Sequence, residues 1–323
     1  MQDNTNPDRY RENYIELKVR RDLGAIISDY FSFLKQNLKK FSNIFLNYNG
    51  LFLIGLLVVS YFLVSGFIGM ITYSNNYQYL EPGERNMEET YITYFIIGGI
   101  LFFFIFLAVA IMNYSLAGSY LIKYEEHEGN SFDKKEVWGF FKKNFGKIFL
   151  FSVLMIVIFI VVYIVSIVLM FIPLLGFIAY YIIMFGALAW FGVSFFAMLH
   201  DDKDVMDAFG EGWQFVRKHF WKSVGVNFIL GLLNAMLSMV AMIIPGVIIG
   251  LYTFHVVENS VDVSESVVAT IVYTVGFALY LIVMVYGQCL SQFVNGFLFY
   301  SLHEETYNTN TRSKIEQIGN LGE

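Results

Sequence analysis

Six long stretches of this chain carry no Lys, Arg, Asp or Glu and are dominated by apolar side chains: 51–73, 91–122, 148–171, 174–199, 223–244 and 267–301. A helix needs ~20 such residues to cross a bilayer. Lipid admits only helices or closed barrels, because no water is present to satisfy backbone N–H and C=O groups. The bulk composition agrees: 57% of the residues are hydrophobic and 15% charged, against about 25% charged in soluble domains. The expected fold is therefore an all-α integral membrane protein with six transmembrane helices. The second and sixth stretches exceed the required length and should tilt, kink or run past the membrane surface. Residues 1–22 are polar, so no cleavable signal peptide is expected. The single cysteine, Cys289, excludes an internal disulfide framework and a zinc–cysteine site.

Charge is distributed unevenly around these stretches. Eight Lys/Arg precede the first, six lie in 123–147, four in 200–222 and two in the tail, whereas the opposite side carries only Arg85. By the positive-inside rule both termini face the cytoplasm, and a multi-pass protein of a bacterial inner membrane is expected. The outward loops, 74–90 and 255–266, are acidic. The third and fourth stretches meet at FIPLLG (Phe171–Gly176), a tight Pro/Gly turn, and Pro245 should break or kink the fifth. Proton relays, voltage sensors and charged-substrate sites generally need ionisable groups at membrane depth, so their absence from these stretches argues against a proton-coupled or ion-coupled pump.

One twelve-residue pattern occurs three times just ahead of an apolar stretch: DYFSFLKQNLKK (Asp29–Lys40), EVWGFFKKNFGK (Glu136–Lys147) and EGWQFVRKHFWK (Glu211–Lys222). The first and third copies extend backwards, with RDLGAIISDYF lying over KDVMDAFGEGW, and Asp22 and Asp204 can cap helix starts. At 100° per residue each copy is an amphipathic helix. Phe33, Phe140 and Phe215, with Phe31, Trp138 and Trp213 and with Leu38, Phe145 and Phe220, fall on the apolar arc. Lys35, Lys142 and Arg217 fall on the polar one. Such a helix lies at the membrane interface, its cations towards phosphate headgroups. Asn37, Asn144 and His219 fall inside the apolar arc. They either bond the backbone near the following span or contact a lipid headgroup or ligand. The chain thus reads as one membrane domain, 1–323. It is built of three parallel repeats at about 21–124, 125–202 and 203–303, each an amphipathic interfacial helix plus a two-span hairpin, followed by a polar C-terminal tail, 304–323.

The third copy with its flanks, MLHDDKDVMDAFGEGWQFVRKHFWKSVGVNFILGLL (198–233), carries an acid, then AF, then GW-x-FVR-x-x-FW, then a Gly-containing span. In this it resembles the membrane domain associated with bacterial glycerophosphodiester phosphodiesterases, and related stand-alone bacterial membrane proteins of unknown function. In the fused proteins hydrolysis belongs to a separate soluble barrel with metal-binding carboxylates and histidines, which this chain lacks. The phosphodiesterase activity therefore does not carry over, and the resemblance implies a membrane module that handles lipids, of undetermined activity.

Two sets of residues could carry chemistry. Three span ends bear His beside carboxylates: EEHE (Glu125–Glu128), HDD (His200–Asp202) and HEE (His303–Glu305). If they converge, His127, His200 and His303 could hold a divalent metal; the simpler reading is solvated loop starts, and no HExxH-like motif is present. Within the spans, Gln288, Gln292 and Asn295 share one face of the sixth, Asn227 and Asn234 one face of the fifth, and Asn113 lies in the second. Such amides serve either as interhelical glue or as a polar pathway or headgroup pocket.

The leading expectation is a non-catalytic module that engages phospholipids, anionic ones included, or partner membrane proteins through Lys35, Lys142, Arg217, Asn37, Asn144, His219, Trp138 and Trp213. The alternative is a facilitator or transporter for a lipid or other uncharged amphipathic molecule, using Asn227, Asn234, Gln288, Gln292 and Asn295. A weaker alternative is a metal-dependent enzyme at the cytoplasmic surface. No catalytic residue is assigned, no cofactor is called for, and nothing supports nucleic-acid binding.

Overall fold

The computed structural model describes residues 14–76, 86–259 and 266–320, and these are all-helical apart from short connections. The helices are α1 (Leu23–Asn76), α2 (Asn86–Glu126), α3 (Lys134–Met170), α4 (Leu175–His200), α5 (Val205–Lys218), α6 (Phe220–Glu258), α7 (Val267–Tyr307) and α8 (Thr309–Asn320). Six of them, α1 to α4, α6 and α7, are long and apolar enough to cross a membrane. The chain is a multi-pass helical membrane protein. Most of 74–90 and part of 255–266, the loops expected to face outward, lie outside the described residues, Arg85 among them.

Local chemistry explains where the helices begin and end. Asp22 Oδ1 accepts from the Ala25 N–H at 2.7 Å and caps α1. Asp133 and Glu136 form a reciprocal capping box at the start of α3. The α3–α4 turn places Leu174 at φ 61°, and a Cβ on Gly176 would collide with the Leu169 carbonyl oxygen, so this turn needs glycine at 176. Left-handed residues also follow three helix ends: Glu128 after α2, Asp202 after α4 and Asn308 after α7, with φ of 47°, 51° and 54°. The Glu304 carboxylate then accepts from the Asn310 and Thr311 backbone N–H groups and starts α8 within the tail.

Two features differ from the sequence expectation. The amphipathic segment is set apart by a helix end only in its third copy, where His219 leaves helical geometry (φ −122°, ψ 44°) between α5 and α6. In the first two copies it runs into the following span within α1 and α3. Of the break or kink expected at Pro245, the break does not occur: helical backbone continues through it in α6, the proline, lacking an N–H, removing one intrahelical hydrogen bond without ending the helix.

The chain divides into two compact units. The first comprises residues 1–44, 114–233 and 289–323. Its central helix is α4, in which Phe191 to Leu199 are all buried. In the same unit, Phe33, Phe41, Tyr120, Tyr124, Phe293 and Phe297 pack edge-to-face, or tilted in the case of Phe33 on Phe293, with centroid separations of 4.8–6.2 Å, geometry that favours aromatic pairs beyond their buried area. The amphipathic segments contribute a split apolar arc: Phe33 and Phe215 are buried in this core, whereas Phe31, Leu38, Phe145 and Trp213 remain on the outside.

The second unit comprises residues 45–113 and 234–288. It is four apolar helical segments with little buried polarity. A Cβ on Gly66 would overlap the Phe95 backbone, so α1 and α2 approach closely there. Asn113 Nδ2 donates to the Val285 carbonyl at 3.1 Å, an interhelical bond of the kind expected of structural glue. Asn49 is fully buried, and neither atom of its amide has a hydrogen-bond partner.

Candidate functional site

The richest polar region lies in the first unit, where α4 ends, α5 begins and α7 passes. Asp201, just beyond α4, is its hub. His200 Nδ1 lies 2.6 Å from Asp201 Oδ1, Lys203 Nζ 3.0 Å from Asp201 Oδ2, and His303 Nε2 3.9 Å from Asp201 Oδ1. Lys203 also pairs with the buried Glu211 of α5, whose other oxygen accepts from the Tyr307 hydroxyl at 2.8 Å. Burial pushes the Asp201 carboxyl up, but hydrogen bonds from His200 and Lys203 more than offset this and hold it down at about 2. Burial pulls Lys203 down, while hydrogen bonds to Glu211 and Asp201 raise it overall. Both groups are therefore charged at neutral pH.

Of the three histidines proposed as ligands, the structure joins two. His200 and His303 have ring centroids 5.4 Å apart, and with Asp201 their ligating atoms lie within 4.8 Å of one another. His127 belongs elsewhere: its Nε2 lies 3.0 Å from Glu136 Oε2, beside the capping box of α3.

The amide set is dispersed. Asn295 Nδ2 points to Gln292 Oε1 at 3.4 Å, both residues being buried, and Gln292 also lies against the Tyr114 hydroxyl. Asn295 packs where α4 has Gly192, a position whose Cβ would overlap the Asn295 amide. Asn295 Oδ1 and the Ser194 hydroxyl are buried without hydrogen-bond partners. Asn227 Nδ2 donates to the Ser223 carbonyl one turn back at 3.3 Å. Asn234 and Gln288 belong to the second unit, where the Asn234 carbonyl accepts from Ser238 and Gln288 is exposed.

In the amphipathic segments, Lys35, Lys142 and Arg217 are all exposed, with Lys142 Nζ 5.7 Å from the Trp138 ring centroid. Asn37 and Asn144 make the same bond, each donating at 3.0 Å to the carbonyl one turn back, Phe33 and Phe140. Asn37 also accepts from the buried Tyr120 hydroxyl. His219 Nδ1 lies 3.0 Å from Glu305 Oε2.

The first and last positions of the pattern are the ones the sequence reading passed over. Each opening acid pairs with a base eight or nine residues earlier: Arg21 with Asp29, His127 with Glu136, Lys203 with Glu211. Each closing lysine reaches the end of the second span that follows it. Lys40 donates to the Asn130 and Phe132 carbonyls, Lys147 to Asp202 and the Lys203 carbonyl, and Lys222 to Ser301 and Glu305. The invariance of a lysine at the twelfth place and of an acid at the first was the available signal.

Fold and site together define a class: a polytopic helical membrane protein whose apolar stretches hold amides and hydroxyls but, among the described residues, no Lys, Arg, Asp or Glu. Its sequence matches, over residues 31–245, the family described as sulfate transporter CysZ/Etoposide-induced protein 2.4. The match covers more than half of the chain and runs from within α1 to Pro245, and the chain belongs to that family. It overturns the resemblance to the phosphodiesterase-associated membrane domain. The GW-x-FVR-x-x-FW run that carried that resemblance packs Phe215 inward and leaves Trp213 and Arg217 outside, which is what an amphipathic helix ahead of a span demands whatever its family. No curated protein and no solved structure matches the chain.

Proposed function

We infer that this protein is a membrane transporter that passes a small polar anion of the sulfate type. The observation that carries this reading is its membership of a family described by sulfate transport. The residues are compatible with it. A doubly charged oxyanion entering spans without ionisable groups must be met by neutral donors, and amide NH₂ and hydroxyl groups are such donors. Gln292, Asn295 and Ser194 supply them in the first unit with hydrogen-bonding capacity left over, and Asn227 of the same unit extends the candidate set. The lack of membrane-depth carboxylates favours facilitated passage down a gradient over proton coupling. Purified protein in liposomes should take up radiolabelled sulfate above the rate of empty liposomes, with competition by unlabelled sulfate; equal rates would end the reading.

A second reading rests on a separate observation: exposed cations sit beside exposed or half-buried aromatics, Lys35 near exposed Phe31, Lys142 over half-buried Trp138 and Arg217 near exposed Trp213. This combination suits an interface with anionic phospholipids or with partner membrane proteins. Lipids retained in native membrane patches, read by mass spectrometry, should lose an anionic species when Lys35, Lys142 and Arg217 become Gln. Bulk-like lipid in both samples would leave these residues as general anchors. In either reading we place the protein in a bacterial inner membrane with both termini cytoplasmic and three parallel repeats. Single cysteines at Ser74 and Asn308 in a Cys289→Ser background test the topology: external reagent should label the first and spare the second.

A further inference from the structure

We propose that His200, Asp201 and His303 form a binding site for a first-row transition-metal cation of the zinc type, which clamps the end of α4 to α7. The anion transport inferred above does not require it.

Three observations converge. The first is the donor set. Two imidazoles and one carboxylate, with ligating atoms all within 4.8 Å of one another, suit Zn²⁺, Co²⁺ or Ni²⁺, whereas Mg²⁺ and Ca²⁺ prefer oxygen-only shells. Ligands about 2.0–2.1 Å from a tetrahedral ion stand about 3.3 Å apart. The 2.6 Å between His200 Nδ1 and Asp201 Oδ1 and the 3.9 Å between His303 Nε2 and Asp201 Oδ1 bracket that spacing, so side-chain shifts of under about 1 Å would admit the ion.

The second is His303 itself. It is 93% buried by its 7% exposure, its Nδ1 has no hydrogen-bond partner among the described residues, and its Nε2 stands 3.9 Å from Asp201 Oδ1, beyond hydrogen-bond range. Its walls are aromatic: Phe215, Phe299 and Tyr307 have ring centroids 4.8–6.2 Å away. Its Nδ1 is thus turned into the aromatic walls, and Nε2 is the nitrogen left to face Asp201 Oδ1 and take an ion.

The third is the arrangement behind the ligands. Lys203 holds Asp201 Oδ2 at 3.0 Å, leaving Oδ1 as a single-oxygen ligand facing the two imidazoles. Asp201, Glu211 and Lys203 together carry one net negative charge, which a divalent cation would overcompensate by one rather than meet unpaired. His200 and Asp201 are partly exposed, at 15% and 19% of their side chains, so an ion can enter and solvent can complete its shell.

The test uses full-length protein in detergent, stripped with chelator and freed of any purification tag, titrated with Co²⁺. The expected result is visible ligand-field absorption that saturates at one equivalent, is displaced by Zn²⁺, persists in His127→Gln, and is lost in His200→Gln and His303→Gln. Zn²⁺ should also raise the thermal unfolding midpoint of the wild type but not of His303→Gln. Absence of a saturable spectrum in the wild type overturns the proposal whether or not the variants fold. So does a spectrum unchanged in both variants, which would mark adventitious surface binding.

Discussion

The end of α2 and the end of α4 look alike in sequence, each a histidine among acids, yet they are built differently. At α2 the acidic run is dismantled into separate pairs. Glu125 meets Lys18, Glu126 meets Lys123 and His127 meets Glu136, in side chains mostly 18–42% exposed. At α4 the same residue types are gathered into one half-buried network, because Lys203 and Glu211 of the following segment and His303 of α7 close over Asp201. The composition of a helix end does not decide its role. What packs over it does, and burial converts a solvated pair worth little into a network whose parts depend on one another.

That contrast can be broken by substitution. The largest effect is expected for Glu211→Ala, which removes a buried carboxylate from Lys203 and Tyr307 at once; by the cost of breaking a buried pair it should destabilise the protein by about 3 kcal/mol, seen as a clear drop in the thermal unfolding midpoint in detergent. Lys222→Ala should cost about 1–2 kcal/mol, since Glu305 keeps only His219 and Ser301 loses a donor. At the α2 end His127→Gln should change the midpoint by no more than about 0.5 kcal/mol equivalent. A drop for His127→Gln as large as that for Glu211→Ala would show that the two ends are equivalent after all.

Much of the fold was readable from the residues. The six apolar runs became six long helices, and the FIPLLG turn lies where Pro173 and Gly176 put it. The amphipathic segments were readable as helices but not as parts of longer ones, because periodicity reports a face and not a boundary. Only His219 sets one segment apart, and its side chain gives no strong stop signal. The candidate site was readable in halves. His200 and His303 stood out, but they lie over a hundred residues apart, and only packing chooses His303 over His127 as the partner. Lys203 and Glu211 were visible as charges, while their pairing depends on α5 folding back on α4, where a Cβ on Gly212 would overlap Ser194. The lysines at the twelfth place were hidden by the more familiar reading of basic residues as headgroup contacts. The GW-x-FVR-x-x-FW residues do not distinguish one family from another, because any interfacial helix ahead of a span would carry them.

The central claim is that neutral amides within the first unit conduct a small oxyanion. The most direct measurement is the initial rate of sulfate uptake by Asn295→Leu in liposomes, set against wild type and checked for an unshifted unfolding midpoint. The account predicts a fall of roughly tenfold or more, the loss expected when one unmet hydrogen-bond partner costs about 1.4 kcal/mol at the barrier. An unchanged rate in a folded variant would contradict it and return Asn295 to the role of helix packing.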